Sequence, residues 1–333
     1  MTDAWSLVVA GLAVALLRAT TPILFAALGA LVSDLAGCVN VALEGLMLIA
    51  AFFGVMGAVQ AAHLWPALPV WGHALVGGGA ALLAALALAL LLAVFHLEFG
   101  ADLIVAGIAM NLLAAGLTVF LMASWVGDKG STATLVSPAL PALRVPGLAG
   151  WPALDLLVNG EGGRGHPLPL LLAPLAVAAV WLLLYRTPWG RWLRATGENP
   201  AAALAAGIPV KRMQYLALLA SGALAGLGGV YLSMGYVTLF QADMSAGRGF
   251  LALAAVFLGA RALAGTTAAA LLFGASAVLA TQLGALAWRP QLPQMLPPIV
   301  TLLAMAVAGA RRSRRPRPVP SVTGDAPEIP PRP

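Results

Sequence analysis

Apolar runs about as long as a bilayer is thick recur along almost the whole chain, and they decide what it can fold into. A helix crosses the hydrocarbon layer in about 20 apolar residues. Runs of that kind fall at about Trp5–Val32, Asn40–Ala61, Trp71–Phe95, Leu103–Trp125, Pro167–Tyr185, Met213–Tyr236, Ala264–Gly284 and Leu292–Ala310. A further apolar segment, Gly249–Ala260, is too short to span alone. It reads as a re-entrant half-helix or as one end of a broken helix. The first run is interrupted by Arg18, Thr20, Thr21 and Pro22. It is either one kinked helix or a short helix followed by a span from Pro22. The fold expected is an all-α, polytopic integral membrane protein with about nine transmembrane helices (eight to ten), at least one broken. Composition agrees: only 9% of the 333 residues are charged. A soluble domain carries about 25%, so this chain cannot cover a water-facing surface.

One transmembrane domain, about 1–310, is expected. It is interrupted by a Gly- and Pro-rich insert at about 126–166 and by a basic loop at about 186–212. The tail 311–333 is Pro-rich without apolar periodicity and is expected to be disordered. Cations give the orientation. Arg186, Arg191, Arg194, Lys211 and Arg212 share the basic loop, and Arg311, Arg312, Arg314, Arg315 and Arg317 follow the last run. Lys and Arg concentrate in cytoplasmic loops close to membrane ends, so both regions, and the C-terminus, are placed inside. The insert then lies outside. Nine spans put the N-terminus outside; a split first run puts it inside. The N-terminus opens with Asp3 and no basic stretch, unlike a cleaved signal peptide.

Catalytic signatures are absent. The chain has no GxSxG elbow, no HExxH and no Walker A loop. A single cysteine, Cys38, excludes a disulfide framework and a Cys-rich metal site. The four histidines, His63, His73, His96 and His166, lie far apart and read as hydrated groups near span ends rather than as ligands. The basic pI of 10.2 reflects loops and a tail, which fits membrane orientation and lipid headgroups rather than nucleic acid. No cofactor or metal is expected, the chain is not read as an enzyme, and any ATP hydrolysis must belong to another chain.

Two regions stand out. In the basic loop, Asn199 is a good N-cap and Pro200 suits the first helical position. Ala201–Ala206 favour helix, and Gly207 is a natural stop. A helix of about two turns, Pro200–Ala206, follows, and so short a helix needs something to pack on: its own spans, or a cytoplasmic partner. The second region is polar positions within apolar runs. Asn40 and Glu44 share a helix face at i, i+4 if helical there, Asn111 and Gln282 sit in or near spans, and Arg248 sits where a Gly-rich turn meets the short segment. Asn and Gln often only tie helices together. Buried charge points instead to a pathway or gate, so Glu44 and Arg248 are candidates for it, with Asn40 and Asn111 beside them. Gly222 and Gly226, in a GxxxG spacing, predict close helix approach.

At these residues the chain resembles a known family. AGCVNVALEGLMLIAAFFGV (36–55), ADLIVAGIAMNLLA (101–114), GRWLRATGENPAAALAAGI (190–208), SGALAGLGGVYLSMG (221–235) and SAGRGFLALAAVFLGA (245–260) are similar to permease subunits of bacterial ABC importers. The superfamily is the branched-chain amino acid/ribose type, and the nearest likeness is to nucleoside and simple-sugar permeases. Ala42 stands where that pattern commonly has Gly. The resemblance implies an inner-membrane permease whose loop carries the coupling helix, with Gly197, Glu198, Asn199, Pro200, Ala203, Ala206 and Gly207 meeting a cytoplasmic ATPase. It also implies a second, related permease as heterodimer partner and an external substrate-binding protein. A purine nucleoside is the leading substrate, a simple sugar next, a branched-chain amino acid third. The competing readings are a proton-coupled secondary transporter, for which Glu44 is the strong candidate relay, and a membrane enzyme, for which no constellation is visible.

Overall fold

The computed structural model describes residues 2–147, 151–160 and 165–286, and scattered positions between 295 and 306. Its elements are α1 (Thr2–Leu35), α2 (Leu43–Leu64), α3 (Val70–Leu97), α4 (Leu103–Trp125), β1 (Ala142–Leu143), α5 (Pro152–Asn159), β2 (His166–Pro167), α6 (Leu168–Arg186), α7 (Pro188–Glu198), α8 (Pro200–Ala205), α9 (Val210–Val230), α10 (Arg248–Leu258) and α11 (Leu263–Leu286). Among the described residues, seven helices are long and apolar enough to cross a membrane. The protein is an all-α, polytopic membrane protein.

The first apolar run is one helix, α1, with Pro22 inside it. Proline removes an amide donor from the ladder. The neighbouring Thr21 hydroxyl bonds the Leu17 carbonyl at 2.7 Å, and α1 continues to a stop at Gly37, whose φ is +83°. α2 and α9 bury most of their surface and form the centre, whereas α3, α4 and α6 leave most of theirs open. Leu83, Leu112, Phe120 and Leu175 are correspondingly exposed apolar side chains, as lipid requires. Gly222 and Gly226 lie against Ala89 and Ala85 of α3, where an added Cβ would collide. This is the close approach that the GxxxG spacing predicts.

The two ends of the bundle are distinct. One carries α7, α8 and the start of α9; the other carries the insert between α4 and α6. The short apolar segment connects them. On the stretch leading into it, Gln241 bridges Ser131 of the insert. Just beyond its end, Arg261 binds Asp34 at the end of α1. Residues 237–258 are therefore one crossing, with α10 as its helical half; the short segment is one end of a broken span, not a re-entrant loop. Seven helices and this crossing make eight among the described residues. The expected ninth span, Leu292–Ala310, lies mostly outside them, as does the tail 311–333.

The insert has structure of its own. β1 pairs antiparallel with β2, with Ala142 opposite Pro167 and Leu143 opposite His166. The Asn159 side chain accepts from the Val145 N–H at 2.7 Å and donates to the Val145 carbonyl at 3.0 Å.

Candidate functional site

Of the five polar residues singled out within the apolar runs, Asn40, Glu44 and Asn111 meet at residues 36–45, the link from α1 and the first turn of α2, and Arg248 lies between the two glycines that Glu44 holds. Asn40 is fully buried. Its Nδ2 donates to Ser221 Oγ of α9 at 2.9 Å, and its Oδ1 accepts from the Ala42 N–H at 2.9 Å. Asn111 reaches in from α4. Its Oδ1 accepts from the Gly45 N–H at 2.7 Å, and its Nδ2 donates to the Val41 carbonyl at 2.9 Å. Its 36–42 part is irregular and mostly buried, and buried backbone N–H and C=O groups must find partners within the protein. These two amides provide such partners.

Glu44 does something different. Its Oε1 accepts from the Gly247 N–H and its Oε2 from the Gly249 N–H, each at 2.7 Å. One carboxylate thus caps the N-terminus of α10 from another helix, where the helix dipole favours a negative charge. Its own N-cap residue, Gly247, supplies no side-chain cap. A Cβ on Gly249 would strike the Glu44 backbone, so the contact requires that glycine; Gly247, the N-cap, is favoured by its φ of +80°. Arg248 does not pair with Glu44 by hydrogen bond. Its Nη1 donates to the carbonyls of Met244 and Ser245 at 2.9 and 3.1 Å, bracing the turn before α10.

Residues that sequence reasoning passed over complete the junction. Asp34, at the end of α1, holds Arg261 through two contacts of 2.8 and 3.1 Å. Ser221 anchors Asn40. The signal for Asp34 and Arg261 was present, since each is a charge flanked by apolar sequence. Gln282 is exposed on α11 and makes no hydrogen bond to another helix among the described residues.

The basic loop folds as two helices. Thr187 and Asn199 cap α7 and α8, and Asn199 Oδ1 accepts the Ala202 N–H at 3.0 Å. α8 ends at Ala205, with Ala206 as its C-cap and Gly207 at φ +80°. Glu198, Asn199, Pro200, Ala206 and Gly207 are exposed, but Ala203 is buried beneath the helix. Leu204, which the sequence reading did not select, presents an apolar side chain that is 66% exposed. Gly197 is not on the outer face. It lies directly against the Leu35 carbonyl and the Gly37 amide, where any side chain would collide. α7 therefore rests on the same 36–45 segment that Asn40, Asn111 and Glu44 hold.

Beside α8, Glu98 accepts from Lys211 Nζ at 2.7 Å and from the Tyr215 hydroxyl at 2.8 Å. The Lys211 hydrogen bond foremost, then that of Tyr215, holds the Glu98 carboxyl below its ordinary value. The histidines differ from the hydrated groups expected. His73, His96 and His166 each meet a backbone carbonyl at 2.9 Å, and His73 and His166 are buried. Only His63 is exposed. Among the described residues no group of His, Cys, Asp and Glu could hold a metal ion.

The arrangement is a carboxylate clamp on a helix terminus beside a run of close backbone contacts. A family model described as branched-chain amino acid transport system / permease component matches residues 12–308. The chain belongs to that permease family. It is a transport subunit rather than an enzyme. Its relatives include the guanosine ABC transporter permease protein NupQ of Bacillus subtilis, 33% identical over 85% of this chain and 87% of that one. The nucleoside ABC transporter permease protein NupC of Lactococcus lactis is 32% identical over 86% of this chain and 89% of that one. A Haloferax volcanii protein, provisionally named a glucose ABC transporter permease, is 32% identical over 74% of this chain and 70% of that one.

Proposed function

We propose that the chain is the permease subunit of an ABC importer of the bacterial cytoplasmic membrane and forms the path for a nucleoside, a purine nucleoside foremost. The observation that carries this is the end-to-end likeness to permeases named for guanosine and for nucleosides. The glucose-named relative supports a simple sugar as the second reading. The partners are a cytoplasmic ATPase, a second related permease and an external binding protein. The end bearing α7 and α8 faces the cytoplasm, because five cations cluster there; the insert faces outward, and the C-terminus is inside.

α8 is the coupling helix. Exposed Leu204 and its alanine neighbours insert into the ATPase. ATP binding moves α7 and α8 together. Gly197 passes the displacement to Leu35–Gly37 by direct backbone contact. Asn40 and Asn111 make the 36–45 segment move with α9 and α4. Glu44 carries the displacement to α10, and so to the broken crossing. The substrate undergoes no chemistry; it biases the two states only by its different affinity for each.

The test is uptake by proteoliposomes holding the permease pair and its ATPase, with the binding protein supplied on the outer side. ATP-dependent accumulation of labelled guanosine, in preference to glucose or leucine, is expected. Accumulation driven by a pH gradient without the ATPase would overturn the importer reading, and preference for glucose would move the substrate to the second reading.

A further inference from the structure

The non-helical half of the broken crossing, residues 237–247, is strained and held from outside. Thr238, Asp243 and Ala246 take φ of +55°, +57° and +47°. Few non-glycine residues adopt this region, a β-branched one such as Thr238 least of all, and such positions concentrate at moving parts. A π-helical turn, Tyr231–Tyr236, precedes the segment, another feature that marks functional sites in helices. Ser245 within it is fully buried, and its hydroxyl has no hydrogen-bond partner. In this conformation the segment is neither relaxed nor fully satisfied.

Two clamps impose it. Glu44 holds the inner end. At the outer end, residues 130–132 of the insert lie along the chain as a short antiparallel pair. The Thr132 N–H donates to the Phe240 carbonyl at 2.9 Å, the Phe240 N–H donates to Thr132 Oγ1 at 2.9 Å, and the Ala242 N–H donates to the Gly130 carbonyl at 2.9 Å. Thr132 and Phe240 are both fully buried. Phe240 in turn packs edge-on against Phe52 of α2, with ring centroids 5.2 Å apart.

We propose that residues 130–132 are a latch on an outward gate formed by 237–247, and that Thr132 is the positioning residue that keeps the gate shut. The proposal rests on the transport reading above. Releasing the latch lets the strained segment relax while Glu44 still holds α10, so the outer half of the crossing opens independently of the inner half.

The test uses the assembled transporter with Cys38→Ala as background. In one arm Ser245→Cys reports opening to a membrane-impermeant maleimide added outside. Thr132→Val, which keeps shape but loses the Oγ acceptor, should speed labelling about fivefold, the change expected from losing one ordinary hydrogen bond. Thr132→Ser should restore the parent rate. In the other arm Ser131→Cys with Gln241→Cys, which face each other across the bridge, are joined by oxidation. Guanosine uptake should fall about tenfold or more on locking, as for a gate that cannot leave its closed state, and should return on reduction. Unchanged labelling in Thr132→Val, or full uptake by the locked protein, overturns the latch. Absence of uptake from the reduced protein would count against the transport reading alone, because the labelling arm needs no substrate.

Discussion

Replacing Glu44 by alanine removes both acceptors at the start of α10 in one step. Each is a 2.7 Å bond from a backbone amide to a carboxylate oxygen. A hydrogen bond to a charged group contributes about 1.5–3 kcal/mol net. Two independent bonds would give about 3–6 kcal/mol, but they share one carboxylate and are not additive. The lower end, about 3 kcal/mol, is expected, because the Gly247 side of the contact is only partly buried and water can reach it. Glu44→Gln keeps the volume but sets an amide donor against one of the two N–H groups, and should cost about 1.5–3 kcal/mol for that lost bond. The assay is reversible unfolding in mixed micelles, with the folded fraction followed by tryptophan fluorescence. Uptake per folded molecule is measured beside it. A stability of Glu44→Ala within about 0.5 kcal/mol of the parent, the range of an unremarkable surface change, would refute the claim that the carboxylate holds α10.

Further outcomes follow from the same contacts. Leu204→Asp and Ala206→Arg, on exposed positions of α8, should leave folding intact and abolish co-purification of the ATPase, whereas buried Ala203→Asp should lower the folded yield itself; retained co-purification with Leu204→Asp would remove α8 as the docking element. Gly197→Ala should insert normally yet uncouple ATP hydrolysis from uptake, since its Cβ enters the Leu35–Gly37 backbone; wild-type coupling would sever the relay at α7. Asn111→Ala should cost about 1–3 kcal/mol for the Gly45 N–H left unpaired, as read by the same unfolding assay. The Glu98 carboxyl has a lower pKa folded than unfolded, so its stabilisation is present above the ordinary glutamate pKa and fades as pH falls through the folded value. The stability difference between the parent and Glu98→Gln should therefore be seen at pH 7 and vanish in strong acid; a difference that grows on acidification would reverse the sign.

How much of this was legible in the sequence depended on the range of the interaction. α8 was readable residue by residue, because Asn199, Pro200 and Gly207 act on the backbone within a few positions of themselves. The spans were readable because hydrocarbon thickness sets their length whatever the neighbours are. The broken crossing was half legible: the short length of α10 was visible, but whether the chain returned or crossed depended on Gln241 meeting Ser131 and on Arg261 meeting Asp34, contacts distant in sequence. Ala203 was misjudged for a related reason. Five alanines around one leucine offer no apolar stripe to say which side faces in, so only packing shows that Ala203 is covered and Leu204 is not.

The same reasoning explains why the polar residues were found but their work was not. A charge among apolar residues announces that it has a partner or a cavity, and it does not say which. For Glu44 the partner is backbone, the amides of Gly247 and Gly249, and backbone amides carry no sequence signal except the glycines that let the carboxylate approach. That changes what Glu44 can do. Both of its oxygens are engaged by the start of α10, one on each side of Arg248. Glu44 therefore ties α2 to the start of α10 by contact, and the unfolding of Glu44→Ala measures that tie directly.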